Sequence, residues 1–329
     1  EELWEKCDFL AKVKEIEPSE YGLLREGQIL YCCVHPAAHK EELDQLIEKK
    51  ITAFTAEDSH RWGSPNCEAA GKAGAFMGLW AMMNNNGGCG KFASGLGAAP
   101  RVKALVCGHG VVGKAAIEVL YNLGCDVTVS GVEIGGLREI SQMYNGKIDT
   151  IMANKHNLEQ LLPSTDLVVN CVRWPKNASE PMISRKMVAS MPKGAVISDV
   201  SNDYGCIETF HETTHENPTY IEEGVVHYCV SNIPGAIAGS TSVAYAASVL
   251  PHLRSILNNG IKEACVRDGF LRRSLTCHDG YLTHEESSGI QNRPWVRPEV
   301  LLGIEDRNLD PAPPTTFTKS DNFYPEFDK

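Results

Sequence analysis

Basic clusters, paired CxxC cysteines and long apolar runs are all lacking in this sequence of 329 residues. The 31 Lys and Arg residues are outnumbered by 42 Asp and Glu, leaving a net charge of -11, and no Lys/Arg block interrupts that balance. Such a surface repels phosphate polymers and anionic bilayers, which excludes nucleic acid and membrane as partners. No apolar run reaches the roughly 18 to 20 residues that a membrane span requires. The most apolar stretch, 241–250, stops at Pro251, and a soluble protein is expected. The 12 cysteines are scattered, several within apolar segments such as 104–107 and 227–230. That usage points to buried free thiols in a reducing, cytoplasmic compartment, with neither a disulfide framework nor a zinc site. His211, His215 and His227 share one segment at spacings that suit no metal motif, and no metal is assigned. Strand geometry should send one of the adjacent Cys32 and Cys33 inward and the other outward. An initiator Met and a leader-like segment are lacking too, so the chain is expected to miss a segment upstream of Glu1.

What is present is a length that favours two cores over one. Residues 1 to about 98 carry short apolar runs, 9–13, 28–33 and 51–54, around a helix-like stretch at 41–49. That alternation implies a parallel α/β layer. Residues 68–83 are rich in Ala, Gly and Met and read as a buried connecting helix, while the Asn- and Gly-rich stretch 84–100 has the composition of a loop and marks a boundary. From Arg101 the pattern turns to strand, glycine turn, helix, strand. Further strands are expected at 167–172, 195–199 and 225–230, with a helix at 184–190 between the first two. Together these fit a doubly wound parallel sheet. Residues 239–257 read as a long helix of small residues, and the proline-rich tail 293–329 as a surface-wrapping segment. The expected fold class is α/β in two domains.

The segment Gly108-His109-Gly110-Val111-Val112-Gly113 follows an apolar strand and opens an Ala-rich helix. In that context GxGxxG is a dinucleotide loop. Its first glycine permits the tight turn, the second lets backbone N–H groups reach a pyrophosphate, and the third brings helix against strand. An NAD site ordinarily carries an acid at the end of the second strand for the ribose 2′-hydroxyl. Here that strand ends in Ser130-Gly131. Glu133 lies two residues on, and Ser130 and Arg138 are candidates to receive a 2′-phosphate. The cofactor is therefore NAD or NADP, with NADP accepted at least comparably to NAD.

Several long motifs carry a family resemblance across nearly the whole chain. FLAKVKEIEPSEYGLLREGQILYCCVH at 9–35, CEAAGKAG at 67–74, the glycine loop, MPKGAVISDVSND at 191–203 and ETTHENPTYIEEGVVHYCVSNIPGAIAGSTS at 212–242 occur in order. In these the sequence resembles the alanine dehydrogenases and the related alpha subunit of proton-translocating transhydrogenase. The resemblance implies a Rossmann-type domain, 99–235, inserted into a discontinuous α/β substrate domain, 1–98 and 236–329. It implies that Lys14 contacts an oxo-acid substrate, that His35 is the acid/base, that Asp203 faces the nicotinamide, and that Asn232 lies beside it. The carboxylate of Asp203, where transhydrogenase subunits usually have an amide, favours the dehydrogenase branch. Those roles are chemically coherent. Reductive amination of a 2-oxo acid needs a cation for the substrate, a group titrating near neutrality, and a carboxylate to steady cationic nitrogen.

The implied activity is reversible oxidative deamination of L-alanine or a similar amino acid by a homo-oligomer, dimer to hexamer. Three features depart from the family pattern. Its first sixty or so residues, with a substrate-clamping arginine, have no counterpart; Cys67 replaces a serine; and Arg173-Trp174-Pro175-Lys176 replaces a small-residue loop. Trp174 in that loop, the altered end of the second cofactor strand and the proline-rich tail keep open a related N-(carboxyethyl)amino-acid synthase, which couples pyruvate reductively to ornithine or lysine. A dinucleotide-binding sensor without turnover is the alternative of another class.

Overall fold

Short β-branched and aromatic runs become strands, and amphipathic or Ala-rich stretches become the helices between them. The computed structural model describes residues 2–175, 178–202 and 205–312. In chain order the elements are α1 (Glu2–Lys6), β1 (Phe9–Ala11), β2 (Ile29–Cys32), α2 (Lys40–Glu48), β3 (Thr52–Thr55), α3 (Pro65–Ala81), β4 (Lys103–Cys107), α4 (Val111–Asn122), β5 (Asp126–Gly131) and α5 (Ile134–Met143). There follow β6 (Asp149–Met152), α6 (Lys155–Leu161), β7 (Leu167–Asn170), α7 (Arg185–Ser190), β8 (Val196–Asp199), β9 (Thr219–Glu222), β10 (Val225–Tyr228) and α8 (Ala238–Arg267). The last are α9 (Gly269–Ser274), β11 (Leu275–His278), β12 (Tyr281–Leu282), α10 (Glu285–Gln291) and α11 (Pro298–Leu302). Among the described residues the chain divides into two units, 2–64 with 244–312, and 65–243.

The first unit holds a five-stranded sheet in the order β1-β2-β3-β11-β12. Its first three strands are parallel, β11 runs antiparallel to β3, and β12 closes a hairpin on β11. Both faces are covered. Tyr31 and Cys33 join a core with Phe54, Leu271 and Leu275, while Leu30, Cys32 and Val34 join another with Leu46 and Cys277. The expectation that one of Cys32 and Cys33 faces outward is thereby corrected, since both are buried. Their side chains do diverge to opposite faces, but each face carries its own core.

The second unit holds a seven-stranded sheet in the order β6-β5-β4-β7-β8-β10-β9, parallel except for the antiparallel edge strand β9. Chain order therefore reverses at β4, with β5 and β6 to one side and β7, β8 and β10 to the other. That is the dinucleotide-binding topology, and the crevice at the carboxyl end of β4 is its ligand-binding switch point. The boundary expected at residue 98 falls instead after Ser64, because α3 belongs to this sheet. A Cβ at Gly71 would lie 2.9 Å from the Ala115 Cβ and 3.0 Å from the Val112 carbonyl carbon, and one at Gly78 would lie 2.9 Å from Leu167 Cδ1. Only a helix lacking those side chains packs this closely on α4 and the sheet. The second expected boundary, at 235, falls after Val243.

Helix α8 is longer than the sequence pattern suggests, running 30 residues with Pro251 inside it and non-helical backbone at Gly260. By length and composition alone, residues Ile233–Arg267 would suffice to cross a membrane, contrary to the sequence expectation, and only 22% of the most apolar stretch is buried. Alanine and serine account for the difference, since they keep hydropathy moderate over a long helix without forming an unbroken apolar run. Residues 313–329, nearly half of the proline-rich tail, lie outside the described residues.

Candidate active site

In the second unit the glycine loop leaves β4 in the conformation its sequence requires. Gly108 has φ +94, a backbone state that disfavours any side chain, and its N–H donates to the Ser130 carbonyl at 2.8 Å, tying the loop to β5. A Cβ at Gly113 would stand 2.8 Å from the Gly108 carbonyl carbon and closer still to its oxygen. A Cβ at Gly110 would meet nothing within 4 Å. Gly113 is thus bare so that the turn can close on itself, and Gly110 so that something outside the chain can approach. Val111 and Val112 open α4, with Gly110 as its N-cap, and their N–H groups are the unpaired donors of a helix start. This open cradle at a helix N-terminus fits the pyrophosphate of a nicotinamide dinucleotide.

The other expected cofactor residues are placed unequally. Gly131 ends β5 and Arg138 is exposed on α5. Ser130 is fully buried with its side chain beside the Cys107 thiol; a phosphate contact from it requires the strand end to move. Asn232 adopts the left-handed conformation, φ 56, just before residues 233–237 turn toward α8, and its carbonyl faces His215 Nε2 at 3.2 Å. Asp203 and Lys176 lie outside the described residues. Trp174 is 2% exposed and packs with Met182, Ile183 and Val188, so its bulk fills a core. His227 is likewise structural. Burial pushes it down to about 4, and its ring bonds Thr209 Oγ1 at 2.8 Å and the Val225 carbonyl at 3.0 Å.

In the first unit, parallel strand ends bring the acid/base candidates together. The Cys33 N–H donates to the Val13 carbonyl at 3.3 Å, so Lys14 and His35 emerge from neighbouring strand ends. His35 has φ 46 and precedes Pro36, and a residue before proline is steered away from the right-handed helical region. Glu57, which follows β3, holds this turn. Its Oε1 accepts from the His35 backbone N–H at 2.6 Å and lies 3.3 Å from Nδ1. The Glu57 Oε2 is buried without a hydrogen-bond partner among the described residues. Nδ1 faces the carboxylate, and Nε2 is the nitrogen that remains for proton exchange. Lys14 Nζ lies 3.7 Å from Glu15 Oε2, with 47% of the lysine side chain exposed. Burial raises the Glu15 carboxyl, but its own backbone N–H and the charges of Lys14, His35 and His39 outweigh that and leave it lowered. Glu57 was not singled out from the sequence. It is 22 residues from His35, and only β2–β3 pairing makes them neighbours.

Comparison with known proteins agrees with this geometry. Family models for the alanine dehydrogenase/PNT N-terminal and C-terminal domains match residues 1–64 and 75–285. An alanine dehydrogenase from Methanococcus maripaludis is 33% identical over 309 residues, covering 92% of this chain and 83% of the relative. That from Lysinibacillus sphaericus is 32% identical with the same coverage. A solved L-alanine dehydrogenase structure superposes with a TM-score of 0.79 at 29% identity, covering 87% of this chain and 81% of its own. With both domain models matched in order and the relatives covered over most of their length, the chain belongs to the alanine dehydrogenase/PNT family.

Proposed function

We propose that the protein catalyses the reversible, NAD(P)-dependent oxidative deamination of L-alanine to pyruvate and ammonia. The observation that carries the reading is the His35–Glu57 pair at the end of a parallel strand, in a chain whose other unit bears an open dinucleotide loop. When bound, the nicotinamide supplies the hydride acceptor, or the donor in reverse. The chain's own residues do the rest. Lys14 offers a partly exposed ammonium to the substrate carboxylate or carbonyl. Glu57 fixes the imidazole of His35 through Nδ1, so that Nε2 can take a proton from water attacking the imine and return it in amination. Asp203, through the family resemblance, steadies the cationic nitrogen. Boundaries drawn as above make 2–64 with 244–312 the substrate unit and 65–243 the cofactor unit.

The burial of Trp174 removes one reason to prefer the synthase, since the indole fills a core. The protein acts in the cytoplasm as a homo-oligomer. Its thiols, with Cys32, Cys107, Cys265 and Cys277 buried and none in a disulfide among the described residues, suit a reducing compartment. Leu250 and Leu257, seven residues apart on α8, are 50% and 68% exposed and present one apolar stripe to a second copy. The test is His35→Ala. Single-turnover hydride transfer from L-alanine should fall by about a hundredfold or more, with dinucleotide affinity unchanged. A near-normal rate would make His35 structural.

A further inference from the structure

The end of β5, where this topology ordinarily places a carboxylate for the adenosine ribose, is occupied by a side chain from a different element. His109, the second residue of the glycine loop, lays its imidazole across Gly131 and Gly136. A Cβ at Gly131 would stand 2.7 Å from the ring's Nε2, and closer to Cδ2; one at Gly136 would stand 2.5 Å from Nδ1, and closer to Cε1. Leu137 Cδ2 closes the same space, 3.2 Å from the Gly131 position. Opposite edges of the ring thus rest on two residues without side chains, one at the strand end and one in the first turn of α5. The loop cannot easily carry the ring elsewhere, because Gly108 is bonded to Ser130 and the Gly131 carbonyl accepts from the Ala153 N–H at 2.8 Å. His109, Gly131 and Gly136 form one unit, in which an imidazole replaces an acid.

We propose that His109 is the specificity-determining residue of the adenosine-ribose subsite, and that it admits a 2′-phosphorylated nicotinamide dinucleotide. The inference rests on the dinucleotide reading of the glycine loop. A carboxylate at this place accepts from a ribose hydroxyl and repels a phosphate, whereas an imidazole N–H donates to phosphate oxygens. Arg138 is exposed one turn into the same helix α5. The geometry also sets the order in which the subsite can be rebuilt. An aspartate at 131 cannot enter while the ring of His109 lies against that position, so the acid and the imidazole are alternative occupants of one space.

The experiment is calorimetric titration of NAD and NADP into the full chain and three variants, with thermal unfolding to confirm that each is folded. The starting protein should bind the two cofactors within about tenfold of one another. His109→Ala, which only removes atoms, should weaken NADP by about tenfold, the scale of one charge-assisted hydrogen bond, and NAD by much less. Gly131→Asp alone should weaken both. His109→Gly with Gly131→Asp should restore NAD and turn the protein against NADP, a non-additive result. An NADP/NAD ratio unchanged by His109→Ala overturns the proposal, as does full NAD selectivity from Gly131→Asp alone. If the starting protein binds neither dinucleotide, the reading of the loop fails, and the inference with it.

Discussion

Two glycines three residues apart in the same loop should fail in opposite ways when given a side chain. At Gly113 the added carbon meets the chain itself, 2.8 Å from the Gly108 carbonyl carbon where ordinary contact begins at 3.4 Å. The turn must open against backbone until the Gly108 carbonyl clears the added carbon, and overpacking of that kind costs about 1–3 kcal/mol. For a domain of this size that lowers the unfolding midpoint by roughly 3–10 °C. At Gly110 the backbone, φ -71 and ψ -163, accepts any residue, and nothing lies within 4 Å of the new carbon. Gly110→Val should therefore unfold within about 2 °C of the starting protein, its only internal cost being a poorer helix cap. The space it fills is the pyrophosphate's. Scanning calorimetry with and without dinucleotide separates the two effects. A ligand at a hundred times its Kd adds about 2.7 kcal/mol to the starting protein, a rise of several degrees, and should add nothing to Gly110→Val. Gly113→Ala should begin lower and still respond. If Gly110→Val keeps the full ligand-induced rise, the loop is not the phosphate cradle, whatever its sequence.

Other consequences are equally direct. Glu57→Gln keeps an acceptor for the His35 backbone N–H but removes the charge beside Nδ1, so kcat should fall at least tenfold while dinucleotide affinity and stability stay near the starting values; stopped-flow and calorimetry on one preparation would show it. Asp203→Asn, neutral and nearly isosteric, should also depress single-turnover hydride transfer with little change in cofactor affinity. Glu42 is buried, and that burial pushes its carboxyl up to about 8 despite the Ile16 N–H it accepts at 2.9 Å. The folded state then holds a proton that the unfolded chain releases near 4.5, so stability should fall as pH rises from about 4.5 to about 8, and Glu42→Gln should flatten that slope in denaturant titrations. Leu250→Glu places a charge on the exposed stripe of α8 and should shift the sedimentation profile toward a smaller species without lowering the stability of the fold by more than about 0.5 kcal/mol.

Most of the parallel sheet was legible because its central strands carry short apolar runs, 104–107, 167–169, 195–197 and 225–226, as burial on both faces demands, with β5 alternating Val with polar residues. The two strands missing from the sequence reading, β6 and β9, are the edges of the sheet. An edge strand is only half covered, and Asp149–Met152 and Thr219–Glu222 accordingly mix polar with apolar residues. The glycines of α3 showed that some close helix approach was coming, but composition does not say which sheet the helix approaches, and that cost the domain boundary. In the site, the glycine loop could be read because its chemistry lies within six consecutive residues. Glu57 and the partnership of His109 with Gly131 and Gly136 could not, since each depends on which strand ends lie side by side.

The central claim is a reaction, and amine choice tests it most directly. With pyruvate and reduced nicotinamide dinucleotide supplied to the purified protein, ammonia should support hydride oxidation with L-alanine as the product, and L-alanine with oxidised cofactor should run the reverse. Turnover with ornithine or lysine in place of ammonia would assign the synthase reaction instead, and a protein that binds the dinucleotide yet turns over with none of these amines would contradict the account outright.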